Sequence, residues 1–265
     1  MLVDGHAVAY HCWFRSYESE VVEGFMDMLE ELIRRHKSTH VVVAFDPSPP
    51  VFRHLLYPQY KAGRPDAPYE FLIECDELRE RLNEEKYTTV EEDDYEADDV
   101  IGSLCKLAED KDFTSVIATC DLDLLQLVNE KTTAELFSRY HKKRLFDIKK
   151  TVERFGGLEP YQIPDYKALA GDKSDNLPGV PGVGDVSATI LLNELKTVEG
   201  IYAEISSVIS LPLRGAERIH SILDKNKEQA FLMKKLTTIV CDLEIDADIE
   251  KSTNPLLSAH ELILS

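Results

Sequence analysis

Nine carboxylates stand where this chain could do chemistry. Asp4, Asp46 and Asp121 each follow a short apolar run, with Asp123 two residues further on. Glu96, Asp98 and Asp99 open a helical pattern in Tyr95-Glu96-Ala97-Asp98-Asp99-Val100, and Asp172 and Asp175 lie just after another. Each alone has an ordinary reading: a strand-end Asp is often a turn or cap, and acids in a helix's first turn favour its dipole. Gathered at one edge of one sheet, however, they would repel, and some would stay protonated. Divalent cations relieve that cost. All-oxygen ligation suits magnesium or manganese rather than zinc. Two such ions about 4 Å apart serve in-line phosphoryl displacement, one activating a water and the other stabilising the leaving oxygen. No GxSxG, Walker A lysine loop or His-rich ligand set offers a competing route.

The residues suited to phosphate lie close by in sequence. Leu177-Pro178-Gly179-Val180-Pro181-Gly182-Val183-Gly184 reads as a glycine-rich hairpin opening into a helix. Its backbone N–H groups and the positive end of the helix dipole suit a phosphate. Phe52-Arg53-His54 and Tyr60-Lys61-Ala62-Gly63-Arg64 interleave aromatics with cations, a pattern for stacking on bases and holding phosphates, although a solvated loop would read the same. Lys142-Lys143-Arg144, and the set Arg214, Arg218, Lys225 and Lys227, are further basic patches compatible with backbone contacts or with ordinary surface.

The elements that must position these residues alternate. Leu2-Val3, Val41–Phe45, Thr88–Val90 and Ser115–Thr119 read as strands; Glu20–Arg35, Tyr69–Leu82 and Glu96–Ala108 carry helical periods. That alternation predicts an α/β fold, a mainly parallel sheet with helices on both faces, whose site lies at the carboxyl ends of the strands. From about Asp165 short helices follow one another, Asp185–Leu195, Val198–Ile205, Ala216–Leu223 and Lys227–Leu236, as in a helical subdomain. The expected divisions are a core over 1–160, a helical subdomain over 161–251 and a tail over 252–265.

At 265 residues and 43% hydrophobic content the chain can bury a sizeable core. No apolar run approaches the ~20 residues of a membrane span, and no signal peptide is evident. Five scattered cysteines without a CxxC pair suggest idle thiols in a reducing cytoplasm. The net charge of −19 is unusual for a protein that meets a polyanion. Setting aside nine metal-site carboxylates leaves −19 + 9 = −10, still acidic. Nucleic-acid binding must then rest on local patches and bound cations.

Taken together, Leu2-Val3-Asp4-Gly5-His6, Phe45-Asp46 with Phe52-Arg53, Tyr60–Arg64, Tyr95–Asp99, Thr119–Asp123, Gly171–Asn176 and Leu177–Gly184 resemble the 5′-nucleases of the flap endonuclease superfamily. The nearest resemblance is to the 5′→3′ exonuclease domain at the start of bacterial DNA polymerase I, over nearly the whole chain. The resemblance implies a PIN-like core, a helical arch at about 52–85 and a helix–three-turn–helix (helix-hairpin-helix type) subdomain. It implies cleavage of DNA at 5′ flaps, gaps, nicks and 5′ ends, with RNA-primed strands as further substrates, in replication or repair. It assigns Asp46, Glu96, Asp98, Asp121 and Asp123, with Asp4 close by, to a first metal site and Asp99, Asp172 and Asp175 to an outer set. Lys61 and Arg64 would steer the scissile phosphate. Arg53 and a base-stacking Tyr60 would touch DNA, and Gly179, Val180, Gly182, Gly184 and Ser187 would hold duplex backbone, with a potassium ion at the hairpin. The implied protein is a cytoplasmic, nucleoid-associated monomer.

Two departures stand out. Beyond Gly184 the chain reads Asp185-Val186-Ser187 where the family usually carries a Glu-Lys-Thr-type tripeptide, and the arch helix is rich in acids. These predict family-like chemistry with a weaker duplex grip. The competing readings are a branched-DNA-binding protein with little turnover, which gains nothing from so many acids, and a PIN-type ribonuclease, which leaves the hairpin unexplained.

Overall fold

The fold follows from where apolar runs can be covered. A computed structural model describes residues 1–15, 20–137 and 144–257. Lys142, Lys143, positions 16–19 and the tail beyond 257 lie outside the described residues. Six strands form one sheet: β1 (Leu2–Asp4), β2 (Val42–Ala44), β3 (Thr88–Val90), β4 (Ser115–Thr119), β5 (Thr132–Leu136) and β6 (Arg144–Phe146). Their order is β3-β2-β1-β4-β5-β6, parallel except for the β5–β6 pair. The chain steps outward from β1 to β3, then returns to lay β4 on the other side of β1. That reversal opens a crevice beyond the carboxyl ends of β1 and β4, where open α/β sheets place their ligands.

The eleven α-helices of the described residues are α1 (Gly5–Arg15), α2 (Val21–His36), α3 (Phe52–Leu56), α4 (Tyr69–Glu84), α5 (Ala97–Asp110), α6 (Ile148–Arg154), α7 (Ile163–Ala170), α8 (Asp185–Leu195), α9 (Val198–Ala203), α10 (Ala216–Lys225) and α11 (Lys227–Thr237). The sheet's period of two sorts its side chains. Val3, Val43 and Ala118 join a core with α1, α2 and α4, whereas Leu2, Val42 and Ile117, one residue away, belong to the other face, and α5 lies against β1, β2 and β4. On α2, Val21, Phe25, Met28, Leu29, Leu32 and Ile33 supply the buried stripe. Tyr69–Glu84, expected as an arch, buries Phe71, Cys75, Leu78 and Leu82 in the same core. Five elements escaped the sequence reading: α1, α3, β5, β6 and α6.

The chain divides into two compact units. One comprises 1–51, 66–147 and 240–265 and holds the sheet. The other comprises 52–65 and 148–239. Its core draws Leu169, Leu177, Val180, Val183, Leu191, Leu192, Ile201 and Met233 from the short helices and the hairpin, and takes in Tyr60.

Candidate metal centre and phosphate-handling loops

In the sheet unit, the turn from β1 into α1 begins the site. Asp4 ends β1 and is 5% exposed. A Cβ on Gly5 would lie 2.6 Å from the Phe45 ring and 2.8 Å from Ala44 O, so only glycine lets β1 turn into α1 against β2. Asp4 Oδ1 accepts from the Ala7 N–H at 3.1 Å, and Oδ2 accepts from the Thr119 hydroxyl at 2.7 Å. Thr119 Oγ1 in turn accepts the Asp121 N–H at 2.9 Å, and Asp121 Oδ1 accepts the Asp123 N–H at 2.8 Å. One buried hydroxyl thereby fixes the acid of β1 against those following β4. Asp46 is held from two sides: its N–H donates to His6 Nδ1 at 3.0 Å, and its Oδ1 accepts the Ala97 N–H at 2.8 Å. Glu96 caps α5, sharing a capping box with Asp99.

These acids disturb one another. Burial, then the charge of Asp46, pushes the Asp4 carboxyl up to about 7 against the pull of Thr119 and Ala7. Burial, followed by the charges of Asp121, Asp4, Asp46 and Glu96, raises Asp98 well above the usual carboxylate range. Asp4 and Asp98 resist ionisation beside Asp46, Glu96 and Asp121, and carboxylate oxygens crowded in this way are the donor set of a hard divalent cation.

Asp99 is different. It is fully buried; its Oδ2 accepts the Glu96 N–H at 3.2 Å and its Oδ1 the Val240 N–H at 2.8 Å. Expected among outer ligands, it ties the start of α5 to the chain's return.

In the second unit, Asp172 and Asp175 sit in a loop closed by reciprocal Asp172–Leu177 backbone bonds of 2.8 and 2.7 Å. The neighbouring hairpin packs so tightly that a Cβ on Gly179 would lie 2.3 Å from Gly171 N. Burial opposes ionisation of Asp172, but Lys167 and Ser174 overcome it and hold its carboxyl below the ordinary value. Asp175 Oδ2 accepts from the Tyr60 hydroxyl at 3.1 Å, and Oδ1 pairs with Arg64 Nη2 at 2.5 Å. Arg64 Nε also donates to Ser174 O at 2.9 Å. Lys61 is half-buried beside the Tyr60 ring, and its N–H donates to Asp175 O at 2.9 Å.

Four residues expected to touch DNA are buried. Tyr60, expected to stack on a base, is 4% exposed inside the helical core. Arg53 is 3% exposed and donates to Leu236 O at 2.8 Å and Thr238 O at 3.2 Å, which makes it a clasp between α3 and the end of α11. Val180 is 1% exposed and spends its N–H on Leu169 O at 2.9 Å. Gly179 is buried, and its carbonyl accepts from Gln229. Gly182 and Gly184 are exposed and Ser187 is half-buried at the N-terminus of α8, where Val186 is 75% exposed. His6, Thr119 and Lys167 were missed. Thr119 alone left a signal, a hydroxyl closing the apolar run Val116-Ile117-Ala118 two residues before an acid.

Two family descriptions match the chain: 5′-3′ exonuclease, N-terminal resolvase-like domain, over residues 1–156, and 5′-3′ exonuclease, C-terminal SAM fold, over 158–257. DNA polymerase I of Bacillus caldotenax is 35% identical over 262 residues, covering 94% of this chain and 29% of that protein. The chain thus spans less than a third of such relatives. A T5 5′-exonuclease with bound divalent zinc ions has a TM-score of 0.78 at 21% identity, covering 91% of this chain and 89% of that one. A T5 D15 flap endonuclease complexed with DNA and metal ions has a TM-score of 0.76 at 20% identity, with the same coverage.

Proposed function

Because the chain belongs to the 5′-3′ exonuclease family, we propose that it is a structure-specific 5′-nuclease hydrolysing DNA phosphodiesters at 5′ flaps, gaps, nicks and 5′ ends. The observation that carries the reading is the mutual repulsion of Asp4, Asp46, Glu96, Asp98 and Asp121, with Asp4 at about 7, a charge excess that needs cations to be useful. The resemblance adds Asp123, Asp172 and Asp175 as further ligands and names magnesium or manganese as the ions. When bound, such ions supply acidification of a water and neutralisation of charge at the scissile phosphate.

The chain's own residues do the rest. Thr119 holds the Asp4 carboxylate and the Asp121 backbone, and His6 holds the Asp46 backbone, which limits the reordering left when a substrate arrives. Lys61 and Arg64 orient the phosphodiester. Gly182, Gly184 and Ser187 offer backbone and hydroxyl donors to duplex phosphates at the start of α8. The hairpin's remaining carbonyls are the donors for a potassium ion. With Asp185 and Val186 at that helix start and −19 overall, duplex grip is weaker than in relatives with a basic residue there. The protein acts as a monomer in the cytoplasm on nucleoid DNA; no helix of the described residues is long and apolar enough to cross a membrane.

The test is an end-labelled 5′-flap duplex incubated in magnesium or in EDTA, beside the Asp121→Asn/Asp123→Asn variant. Cleavage is expected only with the intact protein and the ion. Cleavage in EDTA, or an equally active variant, overturns the reading; binding without cleavage favours a branched-DNA-binding protein.

A further inference from the structure

Of the two cations expected to meet phosphate, Arg64 is already engaged through its guanidinium with the acidic loop of its own unit, which Lys61 meets through its backbone N–H. Arg64 lies on Asp175 Oδ1 at 2.5 Å and on Ser174 O at 2.9 Å, while Tyr60 holds the other carboxylate oxygen at 3.1 Å. The Asp175 side chain is 13% exposed, whereas that of Arg64 is 46% exposed. The acid is therefore fixed and the arginine stands at the surface. Its chain neighbour Gly63 has a φ of +87° with nothing within 4 Å of where a Cβ would be, so the Arg64 turn has room to swing.

We propose that Arg64 is a built-in competitor for the cation on Asp175, and that ion binding there and release of Arg64 from the acid are one event. The inference rests on the metal-nuclease reading. A divalent ion on Oδ1 at about 2.1 Å would lie within about 5 Å of a guanidinium nitrogen bonded to the same oxygen. Charges of +2 and +1 at that range repel strongly unless one withdraws. The neutral Tyr60 hydroxyl need not move and keeps the carboxylate aimed. Arg64 is thus a positioning residue with two stations: in the ion-free protein it neutralises Asp175 and closes the loop, and in the loaded protein it is free for a phosphate. The coupling works against premature filling of this position and delivers an arginine as the ion enters.

Manganese binding to the whole chain, followed by the electron paramagnetic resonance signal of the free ion, tests this without any turnover. Arg64→Gln should tighten the weaker manganese class about two- to five-fold, the worth of a half-exposed ion pair. Arg64→Lys should behave like the unaltered protein. In an Asp175→Asn background, Arg64→Gln should change nothing. Unchanged or weaker binding by Arg64→Gln, or the same gain without Asp175, overturns the competition. Absence of manganese binding by the unaltered protein instead overturns the metal-nuclease reading beneath it. Circular dichroism confirms that each variant is folded.

Discussion

Replacing Asp4 by Asn should stabilise the metal-free protein, although it removes an acid from the centre. The carboxyl has its ordinary value of 3.8 in the unfolded chain and about 7 in the fold. A folded value above the unfolded one means that stability is complete below about pH 4 and is lost as pH rises through 7. At 1.36 kcal/mol per unit, the raised value costs about 4 kcal/mol at pH 8, where Asp4 is ionised, and about 1.5 kcal/mol at pH 5, where it stays protonated while the unfolded chain ionises. Asn keeps an acceptor for the Ala7 N–H, and its amide can donate to Thr119 if that hydroxyl turns, so the exchange costs about 1 kcal/mol at either pH. The variant's advantage should therefore grow by about 2–3 kcal/mol between pH 5 and pH 8 in EDTA. Urea unfolding reads it through Trp13, the chain's single tryptophan, which is buried in the core of the same unit. Magnesium at pH 8 should erase the difference by stabilising the unaltered protein more than the variant. A pH-independent difference, or a variant that loses ground as pH rises, would refute the argument that the acids of this edge repel.

Three more outcomes are expected. Thr119→Val keeps the shape of its side chain but removes the bonds to Asp4 and Asp121; it should cost about 1–3 kcal/mol in urea unfolding and lower cleavage about ten-fold, with substrate affinity unchanged in a binding titration. Arg53→Ala should lower thermal stability by about 2–4 kcal/mol, because Leu236 O and Thr238 O lose a buried donor, while the salt dependence of DNA affinity in the folded protein stays the same. Val186→Lys, at a position 75% exposed, should tighten duplex binding and steepen the slope of log affinity on log salt by about 0.9.

Burial decided which features could be read from sequence. The parallel strands ending at Asp4 and Thr119 were legible because strands covered on both faces are continuous apolar runs. The β5 segment Thr-Thr-Ala-Glu-Leu conceals a strand because its Glu135 is buried with Arg35 and His36, a pairing made across about a hundred residues. In α1, Gly5-His6 offers no capping signal, and its buried Val8, Ala9, Cys12 and Trp13 are interleaved with aromatics and a histidine. The acids were legible by their place after strands. The burial of Arg53, Tyr60 and Val180 was not legible, because type and spacing say that a residue could meet DNA and only the tertiary fold says which way it faces.

The return of the chain at Val240 bears on synthesis. The sheet unit is built from three stretches, and the last supplies the Val240 N–H to Asp99, the Ser252 carbonyl to Val41 and the Asn254 backbone and amide to Thr39 and Ser38. A nascent chain that has emerged only to residue 239 already carries all nine acids, yet Asp99 Oδ1 has not met the Val240 N–H and the segment before β2 lacks its strap. At about 5–20 residues per second, the stretch from 240 to 254 follows about 1–3 s later. A ribosome-bound fragment therefore holds its clustered acids without the brace between α5 and Val240.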